Sequence, residues 1–307
     1  MLNPILSVSA TRRMRSFKTM AVLLAYSLVL LGLAAVLLGG LFTDRVNLRS
    51  MTDGVNCYVL MIGLQFGLLI LIAPAMTSGA IAGERERQTL ELLLVTETRS
   101  FRIVLGKMLE CFALLALLIA AALPALCLTM VVGAVTLTQI LEAVLFLLAV
   151  AFAASCVGVF ASALSRSTVL SAVVSYLLII LIAVVTALPM LLGYPRSITD
   201  VVYDSRAYAE MAPGDALRMI HPLLYVNPGY GLLSLLAAQT GAGGVVMEYR
   251  DWGRILCTWK LMDKAGGETV GLISSGAVFL AGFLLLLAAA PLVRASGRKS
   301  GGRTAAK

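Results

Sequence analysis

Six long runs with no charged residue near their middle constrain this 307-residue chain more than any other feature of its sequence. A helix needs about 20 apolar residues to cross the hydrocarbon core of a bilayer. Strands of membrane barrels alternate polar and apolar residues over about half that length. The runs therefore predict an all-α membrane protein with six transmembrane helices. They are Met20–Leu41, Cys57–Met76, Met108–Val132, Leu141–Leu164, Val169–Leu192 and Val270–Val293.

The composition excludes a soluble globular protein. Hydrophobic residues make up 60% of the chain and charged residues 13%, whereas about a quarter of the residues of a soluble domain are charged. The net charge is +8, but the Lys and Arg residues lie between the apolar runs and not on one basic face. Nucleic acid is therefore not a predicted partner, and membrane lipid is the predicted surrounding of the runs.

The positions of the basic residues predict the orientation of the spans. Short cytoplasmic loops carry an excess of Lys and Arg. Basic residues are concentrated before the first run, between the second and third runs, and after the last run. Both termini are therefore expected in the cytoplasm. This divides the chain into an interfacial segment (1–19), a six-span domain (20–293) that includes an outer segment (193–269), and a basic tail (294–307).

The cytoplasmic loop between the second and third runs, residues 79–107, is too charged for a span. At helical spacing Glu84, Arg87 and Glu91 share one face and can form ion pairs, while leucines form an apolar stripe on another face. One interpretation is a short helix along the membrane with one face available to a partner. The alternative is a solvated connector with a few surface ion pairs.

The same loop carries a recognisable motif between Ile81 and Lys107, which reads IAGERERQTLELLLVTETRSFRIVLGK. The motif resembles the signature of ABC-2 type permeases, in which an ERxxGTLELLL segment follows the second span and IVLGK leads into the third. The N-terminal Asn3–Leu6 and the six-span layout also resemble that family. Gln88 stands where glycine is common in the family, and Thr96–Thr98 replaces a turn that often includes proline.

The resemblance implies a permease subunit of an ATP-driven transporter, most often an exporter in the bacterial inner membrane. In the family, the cytoplasmic helix after the second span is a coupling helix that docks on a separate ATP-binding subunit. The implied partners are that ABC ATP-binding subunit, a second permease copy or paralogue, and membrane lipid. ATP and Mg²⁺ belong to the ATPase, and no cofactor is expected in this chain.

Carried over to this sequence, the resemblance assigns eight residues to the contact with the ATPase. Reversing the charge of Glu84 or Glu91 is then expected to uncouple transport without unfolding the protein. The eight ATPase-coupling residues are Gly83, Glu84, Arg85, Glu86, Thr89, Leu90, Glu91 and Leu92.

The motifs that the sequence lacks limit its own chemistry. No GxxxxGK[ST] occurs, so we expect no ATP binding through a P-loop and no ATPase activity in this chain. No GxSxG or HExxH occurs, which argues against an intramembrane hydrolase. His221 is the only histidine and no CxxC pair occurs, so no metal site is predicted. For Cys57 and Cys257, unpaired thiols are favoured over a disulfide.

Small residues inside the runs predict close helix packing. Gly63 and Gly67 form a GxxxG motif, and Ser155, Gly158 and Ser162 lie along one face of the fourth run. Packing within the subunit is favoured over a dimer seam at these positions.

Gln65 is the most polar residue deep in a run. A buried hydrogen-bond partner is favoured there over a place on the substrate path. In the outer segment, the apolar run Gly231–Ala238 is too short to span and is expected to form an interfacial or re-entrant helix.

Two other function classes are left open by the sequence. An ion-coupled secondary carrier usually places an ionisable residue inside the membrane and often contains repeats, and neither is evident here. A non-transporting assembly or scaffold protein is opposed only by the coupling motif. The uncharged interior suits lipids, lipid-linked molecules, peptides or hydrophobic drugs as substrates.

Overall fold

The computed structural model of the chain describes residues 17–43, 48–88, 100–131, 133, 135–191, 210, 215, 220, 222–240 and 267–304. The regular elements within these ranges are α-helices, without a strand among them. The helices are α1 (Phe17–Thr43), α2 (Leu48–Thr77), α3 (Ala82–Glu86), α4 (Ser100–Val131), α5 (Leu137–Leu164), α6 (Thr168–Leu191), α7 (Pro222–Tyr225), α8 (Pro228–Thr240) and α9 (Gly267–Thr304).

Five helices among the described residues are long and apolar enough to cross a membrane. The first predicted span corresponds to α1. The described apolar stretch of α1, Leu23–Val36, is shorter than these five helices. The all-α membrane class is therefore confirmed, and the sixth crossing stays a prediction. The five candidate spans are Gly54–Glu86, Phe101–Val131, Leu137–Leu164, Thr168–Pro189 and Thr269–Val293.

Several helices extend beyond the apolar runs that predicted them. α4 begins at Ser100, well before the predicted start at Met108, and so also includes Lys107. α9 continues through most of the predicted basic tail, to Thr304. A helix makes its backbone hydrogen bonds internally, so its ends need not coincide with the edges of the hydrocarbon layer.

Side chains fix the ends of α5 and α6. α5 begins with a capping box, in which the Gln139 side chain accepts a hydrogen bond from the Thr136 backbone N–H at 2.8 Å and the Thr136 hydroxyl accepts one in return. After α5 ends at Leu164, the Ser167 hydroxyl accepts from the Leu170 N–H at 3.2 Å, as an N-cap residue does. A short turn therefore joins α5 to α6.

α5 is the central helix of the bundle. It packs against α2, α4, α6, α8 and α9, and most extensively against α9. Small residues permit the close approaches: a Cβ added to Gly158 would lie 1.8 Å from Thr77 Oγ1, and one added to Gly282 would lie 2.8 Å from Ala153 Cα. Within their most apolar stretches, 61% of α5 but only 11% of α6 is buried inside the molecule.

The two ends of the bundle have different polar groups. At one end, which we call the α3 end, the turn before α3, the start of α4, the end of α5 and the second half of α9 form a small apolar cluster that includes Ile81. At the opposite end, which we call the Gln239 end, Tyr58 of α2, Gln139 of α5 and Gln239 of α8 meet through hydrogen bonds. A larger apolar cluster fills the bundle elsewhere.

Candidate functional site

Residues 79–88, the first described part of the segment singled out by the sequence, lie at the α3 end. After α2 ends at Thr77, a turn leads into the five-residue helix α3, which is followed by Arg87 and Gln88. Gln88 has φ = 58°, in the left-handed region that favours glycine. The predicted contact residues Thr89, Leu90, Glu91 and Leu92 lie outside the described residues, whereas Gly83, Glu84, Arg85 and Glu86 lie within them.

The hydroxyl of Ser162, on α5, anchors the turn that precedes α3. It accepts hydrogen bonds from the backbone N–H groups of Ile81 and Ala82 at 2.9 and 2.8 Å, and it donates to the carbonyl of Ser78 at 2.8 Å. The first N–H groups of a helix have no partner within the helix, so this side chain satisfies donors that would otherwise be buried and unpaired. Ser162 itself is fully buried.

The guanidinium of Arg85 binds the C-terminal end of α5. It donates to the carbonyl of Ser165 at 2.6 Å and to the carbonyl of Ala163 at 3.2 Å. The last carbonyls of a helix lack intrahelical partners and form the negative end of its dipole, which a cation stabilises. Arg85 therefore acts as a cap on α5.

The carboxylate of Glu86 binds the first residue of α6. Its two oxygens accept hydrogen bonds from the backbone N–H of Thr168 at 3.0 Å and from the Thr168 hydroxyl at 3.1 Å. A negative charge is favourable at a helix N-terminus. Gly83 faces the same residue, because a Cβ there would lie 3.4 Å from Thr168 Cγ2.

Glu84 joins the segment to α4. The ammonium group of Lys107 lies 2.5 Å from a carboxylate oxygen of Glu84 and 3.3 Å from one of Glu110. The Glu110 side chain is 2% exposed and that of Lys107 17%. Buried charges are tolerated when they are paired. The i,i+3 spacing of Lys107 and Glu110 is the sequence signal that could have indicated this arrangement.

The four described residues that were predicted to contact an ATPase therefore contact other residues of this chain. They connect the segment to α4, α5 and α6. Among residues 79–88, the exposed side chains are those of Glu86, Arg87 and Gln88, and the carboxylate of Glu86 is already bound by Thr168. Sequence reasoning missed the role of Ser162, which it had treated as a small packing residue, and that of Thr168.

Residues 59–198 match the model of a family described as ABC-2 family transporter protein. This part, a little under half of the chain, is similar to the ABC-2 transporter family. The matched range contains α3, α4, α5 and α6 and the contacts of residues 78–86 with these helices. A search of curated proteins gave no match.

The small residues of the permease differ in what they contact. Ser155 and Gly158 are buried, and Gly158 lies against Thr77. Gly63 and Gly67 are exposed, and a Cβ added to either would meet no described atom within 4 Å apart from the backbone of its own helix. The face with Ser155 and Gly158 therefore packs within the subunit, and the GxxxG face does not pack against the described part of the chain.

Gln65, on α2, is fully buried. Its amide lies beside the hydroxyl of Tyr26, without a hydrogen bond of standard geometry among the described residues. In this conformation none of its surface is exposed to a substrate.

The apolar run in the predicted outer segment forms α8, as expected for a short helix there. α8 packs against α9 and α5, and a Cβ added to Gly231 would lie 2.1 Å from Ser274 Oγ of α9. Asn227 caps α8, because its side-chain oxygen accepts from the N–H groups of Gly229 and Tyr230 at 2.9 and 3.2 Å. The α8 helix is therefore a packed part of the permease.

The described residues contain no group of three His, Cys, Asp or Glu side chains that could hold a metal ion. Cys57 is buried and forms no disulfide with another described cysteine, and its suggested partner Cys257 lies outside the described residues, as does His221.

Proposed function

We propose that this permease is the membrane-spanning subunit of an ATP-driven ABC-2 exporter, coupled to a separate ABC ATP-binding subunit through residues 78–92. The supporting observation is the way the described part of this segment is built. Its contacts with Ser162, Ser165 and Thr168, and the Glu84–Lys107 pair, bind it to three helices. A segment held in this way can pass a force to the bundle as one rigid body.

The proposed docking surface is formed by exposed side chains of the segment and of the turn between α5 and α6 that the segment binds. They are those of Arg87 and Gln88 in the segment and of Arg166 in the turn. Basic residues near span ends favour the cytoplasmic side, where an ATP-binding subunit would lie. Complementary charges between the two proteins would set the docking register.

ATP and Mg²⁺ bind the partner in this proposal, and the permease contributes no catalytic residue. Closure of two ATP-binding subunits would push on the segment of each permease copy or paralogue. The clamped segment would then displace its own helices, and substrate would move outward between the permeases. The proposed location is a bacterial inner membrane, with both termini in the cytoplasm.

An ion-coupled carrier is the second candidate, because Glu110 is a buried ionisable residue within a candidate span. Such residues often mark ion pathways. Glu110 lies in the first turns of α4, however, and its carboxylate pairs with Lys107 at the α3 end. A structural ion pair at a helix end accounts for this arrangement, so the permease function is preferred.

The deciding experiment is co-purification of the permease from mild detergent, with identification of any bound ATP-hydrolysing subunit. We expect such a subunit with the wild type and with Arg102→Glu, the matched exposed control. Arg87→Glu should lose the subunit or its coupled ATPase activity, without a change in melting temperature. Absence of an ATPase from the wild-type preparation would reject the function, and normal coupling in Arg87→Glu would reject the docking surface.

A further inference from the structure

The contacts of α6 suggest how a movement at the α3 end crosses the membrane. We propose that α6 carries the coupling movement from Glu86 at one end to Asn227 at the other, where it acts on α8. This inference rests on the proposed permease function. It assigns Glu86, Thr168 and Asn227 as positioning residues that act through α6.

The first step is the attachment of α6 to the coupling segment. Both oxygens of the Glu86 carboxylate bind Thr168, the first residue of α6. The bond to the Thr168 N–H lies at the positive end of the helix dipole, which strengthens it. A displacement of α3 would therefore pull or push α6 along with it.

The second step is the low burial of α6. Only 11% of its most apolar stretch is buried, against 28% to 61% in the other four candidate spans. Its exposed apolar face is solvated by lipid, and lipid tails are as apolar as the side chains of a neighbouring helix. Moving α6 therefore separates few packed atoms, whereas moving α5 would disrupt contacts on every side.

The third step is the connection at the far end of α6. The side-chain N–H₂ of Asn227 donates to the carbonyl of Ala183 at 3.2 Å. Ala183 is fifteen residues after Thr168, which corresponds to about 22 Å along a helix. That distance covers most of the hydrocarbon layer, so α6 connects the two ends directly.

Asn227 transmits the movement to α8 because it makes two kinds of bond. Its nitrogen binds Ala183 of α6, and its oxygen caps the N–H groups of Gly229 and Tyr230 at the start of α8. A shift of α6 relative to α9 would therefore exert a force on the first turn of α8. Because α8 lies toward the predicted outer side, it is placed to open or close an exit.

The variants separate these bonds one at a time. Thr168→Val removes the hydroxyl that binds Glu86 and keeps the shape of the side chain, and Thr168→Ser restores a hydroxyl. Asn227→Asp keeps the oxygen that caps α8 and removes the nitrogen that binds Ala183. Asn227→Asp therefore tests the connection to α6 with the cap of α8 in place.

The measurement is hydrogen–deuterium exchange of the peptide covering residues 227–231, in the permease purified with its ATPase, with and without ATP and vanadate. We expect nucleotide to change the exchange of this peptide in the wild type and in Thr168→Ser. The change should be reduced in Thr168→Val, which keeps the bond from the backbone N–H to Glu86, and lost in Asn227→Asp. All four proteins should still co-purify with the ATPase.

A nucleotide-dependent change in Thr168→Val and Asn227→Asp equal to that of the wild type would overturn the role of α6. So would a wild-type peptide that does not respond to nucleotide although the ATPase is bound and active. If no ATPase accompanies the wild type, the proposed permease function itself fails. The two failures are therefore distinguished by the protein composition of the same sample.

Discussion

The side chains of Gln139 and Gln239 each donate a hydrogen bond to the backbone carbonyl of the other residue, at 2.8 and 3.0 Å. This reciprocal pair joins the first turn of α5 to the end of α8. The Gln239 amide also donates to Glu142 at 3.0 Å and accepts from the Tyr58 hydroxyl at 2.8 Å. One glutamine therefore holds α8 to two helices at the Gln239 end.

Replacing Gln239 should destabilise the protein more than replacing the adjacent Thr240. Gln239→Leu leaves the partly buried Tyr58 hydroxyl without one acceptor, at a cost of about 1–3 kcal/mol. Thr240→Val is the control, because the Thr240 hydroxyl binds only the carbonyl of Leu236 in its own helix among the described contacts. Thermal unfolding in detergent measures both. Equal melting temperatures for the two variants would show that the hydrogen bonds of the Gln239 side chain contribute little to the stability of the protein.

Two glycines should respond in opposite ways to the same substitution. Gly158→Ala places a methyl group 1.8 Å from Thr77 Oγ1, so we expect a large loss of folded protein. Gly63→Ala meets no described neighbour, and replacing a helical glycine with alanine stabilises by about 0.5–1 kcal/mol. Fluorescence-detected size exclusion after heating compares them. A folded, stable Gly158→Ala variant would contradict the close contact of α2 and α5.

The ion pair changes the expectation for charge reversal at Glu84. Glu84→Lys would place a second cation beside Lys107, where the two side chains are 21% and 17% exposed. We expect a loss of about 2 kcal/mol, below the 3–5 kcal/mol for a fully buried pair. A loss of transport in Glu84→Lys would therefore reflect lower stability as well as any loss of coupling. Arg87→Glu, at an exposed position, is the control, and an unchanged melting temperature for Glu84→Lys would argue against the pair.

The backbone at Gln88 predicts which substitutions the segment accepts. At φ = 58°, an L-residue costs roughly 1–2 kcal/mol relative to the right-handed region, and a β-branched side chain costs more. Gln88→Gly should therefore leave stability unchanged or raise it, and Gln88→Ile should lower it. Melting temperatures of the two variants measure the difference. An equally stable Gln88→Ile would mean that the segment adopts another conformation.

The positions of the long helices could be predicted from the sequence, because an uncharged run of sufficient length has few alternatives in a bilayer. The contacts of the segment could not. The bonds of Glu86 to Thr168 and of Ser162 to Ile81 join residues about 80 positions apart, and they depend on which helices are neighbours. A single sequence does not contain that information.

The contacts of the small residues could not be predicted from the sequence either. Gly63–Gly67 and Ser155–Gly158 have similar spacing, yet only the second pair faces another helix of the described chain. Helix spacing shows which residues share a face, but not which face points inward. Gln88 was more informative, because the family prefers glycine at a position where the structure has a positive φ.

The burial of α5 has a consequence for biosynthesis. The chain leaves the ribosome from its N-terminus, so α5 enters the bilayer before α9 has been translated. Its most extensive contact is with α9, and until that helix arrives the face with Ala153 lacks this partner. A nascent permease therefore keeps an unpacked seam along its central helix until α9 is inserted.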